Sequence, residues 1–169
     1  MNEDSPNFRF NPGSYMAGRA FDRSDDICSV CSRPCVWKYA GVIYTSKEVP
    51  TVCARCIANG FVGKYVGGND FSFHDIQLSG ADVALEDELL RRTPGVSCFN
   101  PFEWPVLDGK PLAFVGYADD EELIISKDVY SAVREAFEAA GSNFDGPTPY
   151  ALVFKEIDGD RYRAVVDFD

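Results

Sequence analysis

The chain has 169 residues, 46% of them hydrophobic and 14% aromatic, and a formal net charge of −11. That is ample apolar material for one domain with a small appended module, far from the composition of a disordered chain. The acidic balance argues against general binding to nucleic acid or anionic membranes, where basic surface supplies the affinity.

The first ten residues, MNEDSPNFRF, are polar and acidic, with neither the basic nor the apolar segment of a secretory signal. No apolar run approaches the roughly 18 residues that span a bilayer, so the expected location is the cytoplasm. Residues 1–27 read as an irregular N-terminal arm, with Phe8 and Phe10 available to pack and a turn at Asn11-Pro12-Gly13. Residues 28–66 read as a zinc-ribbon-like module. Within it Val36–Thr45 is rich in β-branched and aromatic residues, which predicts one or two short strands ended by Pro50. The following IANGFVGKYVGG has room for a helical turn or more between its glycines.

Residues 67–169 read as an α+β body packed against that module. The segment 82–92 (DVALEDELLRR) predicts a helix, capped by Ser79 or Asp82 and stopped by Pro94-Gly95. SCFNPFEWPVLDGKP, with three prolines and three aromatics, reads as a packed loop, and Leu112–Tyr117 as a buried strand. Ser126 heads a second helix, 127–140, whose Val129, Val133, Ala136, Phe137 and Ala140 form one apolar stripe. ALVFKEI and RYRAVVDF flank Asp158-Gly159-Asp160 and predict an antiparallel hairpin over 150–168. The fold class expected is α+β: a zinc-ribbon-like hairpin module attached to a small antiparallel sheet with two main helices.

Chemistry concentrates in the cysteines. Cys28-x-x-Cys31 and Cys53-x-x-Cys56 are separated by 21 residues. A C-x-x-C turn supplies two thiolates, and two such turns complete a tetrahedral zinc site. The rivals are a redox centre, an iron–sulfur cluster and disulfides. A redox C-x-x-C needs no second pair, cluster ligands are usually more compressed, and a reducing cytosol disfavours disulfides. The expectation is one structural Zn2+ held by Cys28, Cys31, Cys53 and Cys56, with no position left for catalytic water. Cys35 is an alternative to Cys31 but does not make the two-residue spacing, and the remote Cys98 reads as a small buried hydrophobe.

No catalytic constellation is evident. His74, the single histidine, has no nucleophile motif beside it. The acidic clusters at 86–88 and 119–122 lack the calcium-loop pattern and read as solvated faces. No phosphate loop and no G-x-S-x-G occur.

The chain resembles the CbrC family of small bacterial proteins, the group that includes the colicin-tolerance protein. The resemblance is carried by Phe8-x-Phe10-x-Pro12, the two cysteine pairs with Ile57-Ala58-x-Gly60, Lys64 and Tyr65, then Arg92-Thr93-Pro94-Gly95 and Trp104. It continues through Ala113-Phe114-x-Gly116-Tyr117, Leu152-x-Phe154-Lys155 and Asp167. In that pattern a second cysteine/histidine set lies after the tryptophan and in the last hairpin. Here those stretches read VLDGKPL and KEIDGDRYR, so the resemblance implies one zinc, at the first site only. It also implies toxin immunity or tolerance more than any reaction.

Charge gives that implication a physical counterpart. Residues 119–169 hold 5 Lys/Arg and 13 Asp/Glu, net −8. An acidic surface gains steering against a basic partner such as a nuclease-type bacterial toxin. The candidate partner-binding residues are Asp119, Asp120, Glu121 and Glu122. The leading expectation is therefore a non-enzymatic, zinc-stabilised binding protein acting through protein–protein contact. A nucleic-acid or transcription-associated zinc ribbon is the second reading, motivated by eight Lys/Arg against four acids over residues 9–64 with Trp37, Tyr39 and Tyr44 interleaved. The third is a metal-dependent hydrolase built on His74 and the acidic clusters.

Overall fold

A computed structural model describes residues 4–168. The chain is α+β with small, mostly antiparallel sheets, and its contacts group into two units. Residues up to 75, together with 82–97, form the first; residues 76–81 and 98 onward form the second. The arm, the cysteine pairs and the first long helix thus belong to one unit.

In the first unit, β1 (Phe21–Arg23) pairs antiparallel with β2 (Trp37–Tyr39), placing Phe21 opposite Tyr39. β3 (Tyr44–Thr45) pairs with β4 (Phe71–Ser72). The linker between the cysteine pairs therefore forms its strands as expected, but β2 and β3 take partners outside it instead of closing a hairpin on each other. Aromatic burial explains the choice. Phe21 comes from the arm, and its ring lies 5.6 Å from Phe8 and 5.9 Å from Tyr39. Tyr39 in turn meets Phe73 edge-on at 5.3 Å. Such pairs contribute beyond their buried area.

α1 (Ala54–Ala58) and α2 (Phe61–Val66) follow, broken at Gly60, whose φ of +66° a side-chain-bearing residue rarely adopts. Ile57 and Val62 are fully buried between them and the aromatic row. α3 (Val83–Arg92) starts at Asp82, whose carboxylate accepts the Ala84 amide at 2.9 Å, as the sequence predicts. Gly95 is fixed by contact: a Cβ there would lie 2.2 Å from the Phe73 carbonyl oxygen.

In the second unit, β5 (Ile76–Gln77) runs parallel to β6 (Phe102–Glu103). β7 (Val106–Leu107) and β8 (Lys110–Pro111) form a hairpin around Asp108-Gly109, both at positive φ. The stretch expected to be a loop thus contains strands, and Asp-Gly is the turn chemistry that permits the hairpin. β9 (Ala113–Tyr117), β10 (Ala151–Lys155) and β11 (Tyr162–Val166) form an antiparallel sheet with β10 in the centre. The expected terminal hairpin is the β10–β11 pair, in register from Ala151↔Val166 to Lys155↔Tyr162.

α4 (Glu121–Ile124) leads into α5 (Lys127–Ala139). Val129, Val133 and Phe137 of α5 are buried with Ala118, Ala151 and Val153. Three residues of the predicted stripe thus face the core, whereas Ala140 lies beyond the helix and is exposed. Phe154 sits among Trp104, Phe114 and Phe102 at ring distances of 4.9, 5.7 and 5.9 Å. Among the described residues no helix is long and apolar enough to cross a membrane.

Phe154 is wholly buried, so truncation removes the centre of that ring cluster. Phe154→Ala should cost about 3–5 kcal/mol, against less than about 0.5 kcal/mol for Ile125→Ala at a position 79% exposed. Urea denaturation of the two variants checks this, and equal losses would contradict the packing.

Candidate metal centre

The two cysteine pairs reach one place by different local structures. Cys28 and Cys31 sit in a tight reversal. The Cys28 amide donates to Arg33 O and the Ser32 amide to Cys28 O, both at 2.8 Å, while Cys35 N–H reaches back to Asp26 O at 2.8 Å. Ser32 takes a positive φ of 57° to close the turn. Cys53 and Cys56 occupy the start of α1, Cys53 at the N-cap position and Cys56 inside the first turn. Hydrogen bonds from Ser29 N to Thr51 O and from Tyr39 N to Val52 O, both 2.8 Å, hold the two segments side by side.

The four Sγ atoms all lie within 4.8 Å of one another. Cys28 and Cys56 are 3.8 Å apart, as are Cys31 and Cys53. A disulfide needs about 2.05 Å, and the cysteines are free thiols. A tetrahedron of sulfurs about 2.3 Å from a central ion has edges of about 3.8 Å, so the spacing fits a four-thiolate metal site. Cys28, Cys53 and Cys56 are buried and Cys31 partly so.

Electrostatics point the same way. Hydrogen bonds with Cys53 and Cys56 hold the Cys28 thiol far below its usual range. The same contacts raise its neighbours: Cys53 is pushed up to about 11 and Cys56 further. One thiolate is thus supported by the others' protons, and ionising all four calls for a cation at their centre. Donors already serve the sulfurs: Cys53 N–H reaches Cys28 Sγ and Arg55 Nη2 reaches Cys31 Sγ, each at 3.4 Å.

Arg55 is the participant that sequence reading missed. Its signal was the charge inside C-A-R-C, at a position the knuckle spacing leaves unrestricted. Cys35 is fully buried beside the group, and burial pushes its thiol up to about 12, which suits an inert packing residue. Cys98 belongs to the second unit. There too lie Asp119, Glu121 and Glu122, which are exposed, and Asp120, whose carboxylate caps α4 by accepting the Glu122 and Leu123 amides at 3.1 and 3.2 Å.

An α+β chain bearing a four-cysteine metal-type centre is thereby defined. It belongs to the uncharacterised protein family UPF0167, which it matches over residues 5–148. This corrects the resemblance to the CbrC family: the family found is UPF0167. Its match ends before the Leu152-x-Phe154-Lys155 and Asp167 positions on which that resemblance also drew. Among the relatives, a UPF0167 protein of Pseudomonas aeruginosa is 27% identical over 125 residues, covering 73% of this chain and 69% of its own. UPF0167 proteins of Mycobacterium bovis and Mycobacterium tuberculosis are 28% identical over 137 residues, 78% of this chain and 71% of theirs. No solved structure matches.

His74 is buried, and desolvation lowers its pKa from 6.5 to about 4. The imidazole is therefore neutral in the fold at pH 7. Because the unfolded chain binds the extra proton between about 4 and about 6.5, stability falls as pH drops through that window, by on the order of 3 kcal/mol. His74→Gln should flatten the decline between pH 6.5 and 4, measured by denaturant unfolding at each pH. An unchanged slope would contradict the burial argument.

Proposed function

We propose that the protein is a non-enzymatic binding protein whose first unit is stabilised by one structural zinc ion on Cys28, Cys31, Cys53 and Cys56. The observation that carries this is the convergence of four Sγ atoms within 4.8 Å on two C-x-x-C turns. A pure thiolate set favours zinc among the common divalent ions, and four protein ligands leave no open position for catalytic water. Structural zinc in small modules is worth roughly 10–16 kcal/mol of apparent binding free energy. Strands of two or three residues and a five-residue helix have need of it.

The partner we assign is a basic protein met by the acidic second unit. Exposed carboxylates at Asp119, Glu121 and Glu122, within a stretch of net −8, support steering of a cation-rich surface. A nuclease-type toxin is one member of that chemical class, and with the family corrected nothing singles it out. Nucleic acid is disfavoured by the same charge. In addition, Trp37 and Tyr39 are engaged internally: Arg23 lies 4.0 Å over the Trp37 ring, and Tyr39 is in the core.

Native mass spectrometry of the untagged protein should show one zinc per chain. Cys28→Ser should lose the metal and the fold of the first unit, whereas Cys98→Ser should keep both. Zinc-free wild-type protein would overturn the reading.

Capture from host lysate tests the partner. Asp119→Lys/Glu122→Lys leaves the Asp120 cap in place and should slow association, lowering recovery of basic proteins in a short incubation. The wild-type complex should weaken with salt, since the screening length is about 10 Å at 0.1 M. Identical recovery by both would reduce the acidity to a solubility device.

A further inference from the structure

A zinc ion on four thiolates carries a net −2, and a buried dianion needs positive charge or N–H donors around it. Arg55 is a buried cation at this centre. It lies in α1 between the two ligands Cys53 and Cys56, yet its guanidinium reaches across to the other pair. Nη2 donates to Cys31 Sγ at 3.4 Å, while Nη1 lies 3.8 Å from Asp4 Oδ1. Cys31 is the partly exposed ligand; Cys28, Cys53 and Cys56 are each 4% exposed or less. The arginine therefore contacts the sulfur that solvent and reagents reach first.

The N-terminal arm is tied to the same region. Trp37 Nε1 donates to Ser5 Oγ at 2.9 Å, and the Tyr15 hydroxyl donates to Pro6 O at 2.7 Å. With the Asp4–Arg55 pair, residues 4–6 make three successive polar contacts beside the centre.

We propose that Arg55 is the positioning residue that locks the metal in. It holds Cys31 in the ligand set, offsets part of the dianion, and joins the arm to the centre through Asp4. Arginine suits this task because its planar fork addresses a thiolate and a carboxylate at once, which a lysine ammonium on a flexible stem does less well. The inference rests on the zinc reading above and adds to it a determinant of how fast the metal leaves.

The test uses full-length protein as purified, first analysed for zinc, then mixed with excess of the chromogenic chelator 4-(2-pyridylazo)resorcinol to time metal release. A parallel sample is treated with iodoacetamide and mapped by mass spectrometry. Arg55→Met should release zinc about 10–100-fold faster, with Cys31 the first of the four cluster cysteines alkylated and alkylated sooner than in wild type. Arg55→Lys should fall between that variant and wild type, and Asp4→Asn should be up to about fivefold faster, as expected for loss of a partly exposed ion pair. Zinc-loaded Arg55→Met with wild-type release and alkylation overturns this inference alone. If circular dichroism shows that Arg55→Met does not fold, Arg55→Lys decides, and a wild-type release rate there overturns it. Wild-type protein without zinc overturns the zinc reading, and this inference with it.

Discussion

Mutual approach of four thiols is the constraint on which the first unit depends. Sulfurs 3.8 Å apart are too far for disulfides and unfavourable as a set of unshielded thiolates, so a central cation resolves both problems. The surrounding structure follows from that requirement. The Cys28–Cys31 reversal and the start of α1 are brought together, and the short strands beside them are held by few ladder bonds of their own. Arm residues Phe8 and Phe21 then cover the cluster's aromatic flank.

The second unit shows a different balance. Its three-stranded sheet buries the central strand β10 completely from Ala151 to Phe154 and is covered by the apolar face of α5. Hydrophobic burial and ring packing suffice there, and the stretches between Trp104 and the last hairpin carry no cysteine or histidine. The first unit thus sets a candidate metal centre into a buried aromatic core, whereas the second rests on sheet and helix packing.

Much of this was legible in the residues. The C-x-x-C spacing identified the four sulfurs, because two-residue separation is a local geometric rule. Asp82 marked a helix start by capping chemistry, and the 3.6-residue spacing of Val129, Val133 and Phe137 marked the face of α5. Less was legible where partners are distant in sequence. That β2 would choose β1 of the arm depends on Phe21 meeting Tyr39, a tertiary contact with no local signature. The β7–β8 hairpin did have its signal in Asp108-Gly109, obscured by three nearby prolines that read as loop. Arg55 could not be read from spacing, since the sulfur it contacts belongs to Cys31, 24 residues away. The likeness drawn from motif fragments in order and spacing is corrected by the UPF0167 match over residues 5–148.

Acidity and metal binding divide along the chain. The centre lies in the first unit and the acidic stretch 119–169 in the second, so the proposed zinc maintains a fold while the proposed contact surface is carried elsewhere. The most direct test of the central claim is X-ray absorption at the zinc edge on the protein as purified. The account predicts one shell of four sulfur ligands at about 2.3 Å. A shell containing nitrogen or oxygen, or no zinc edge, would contradict it.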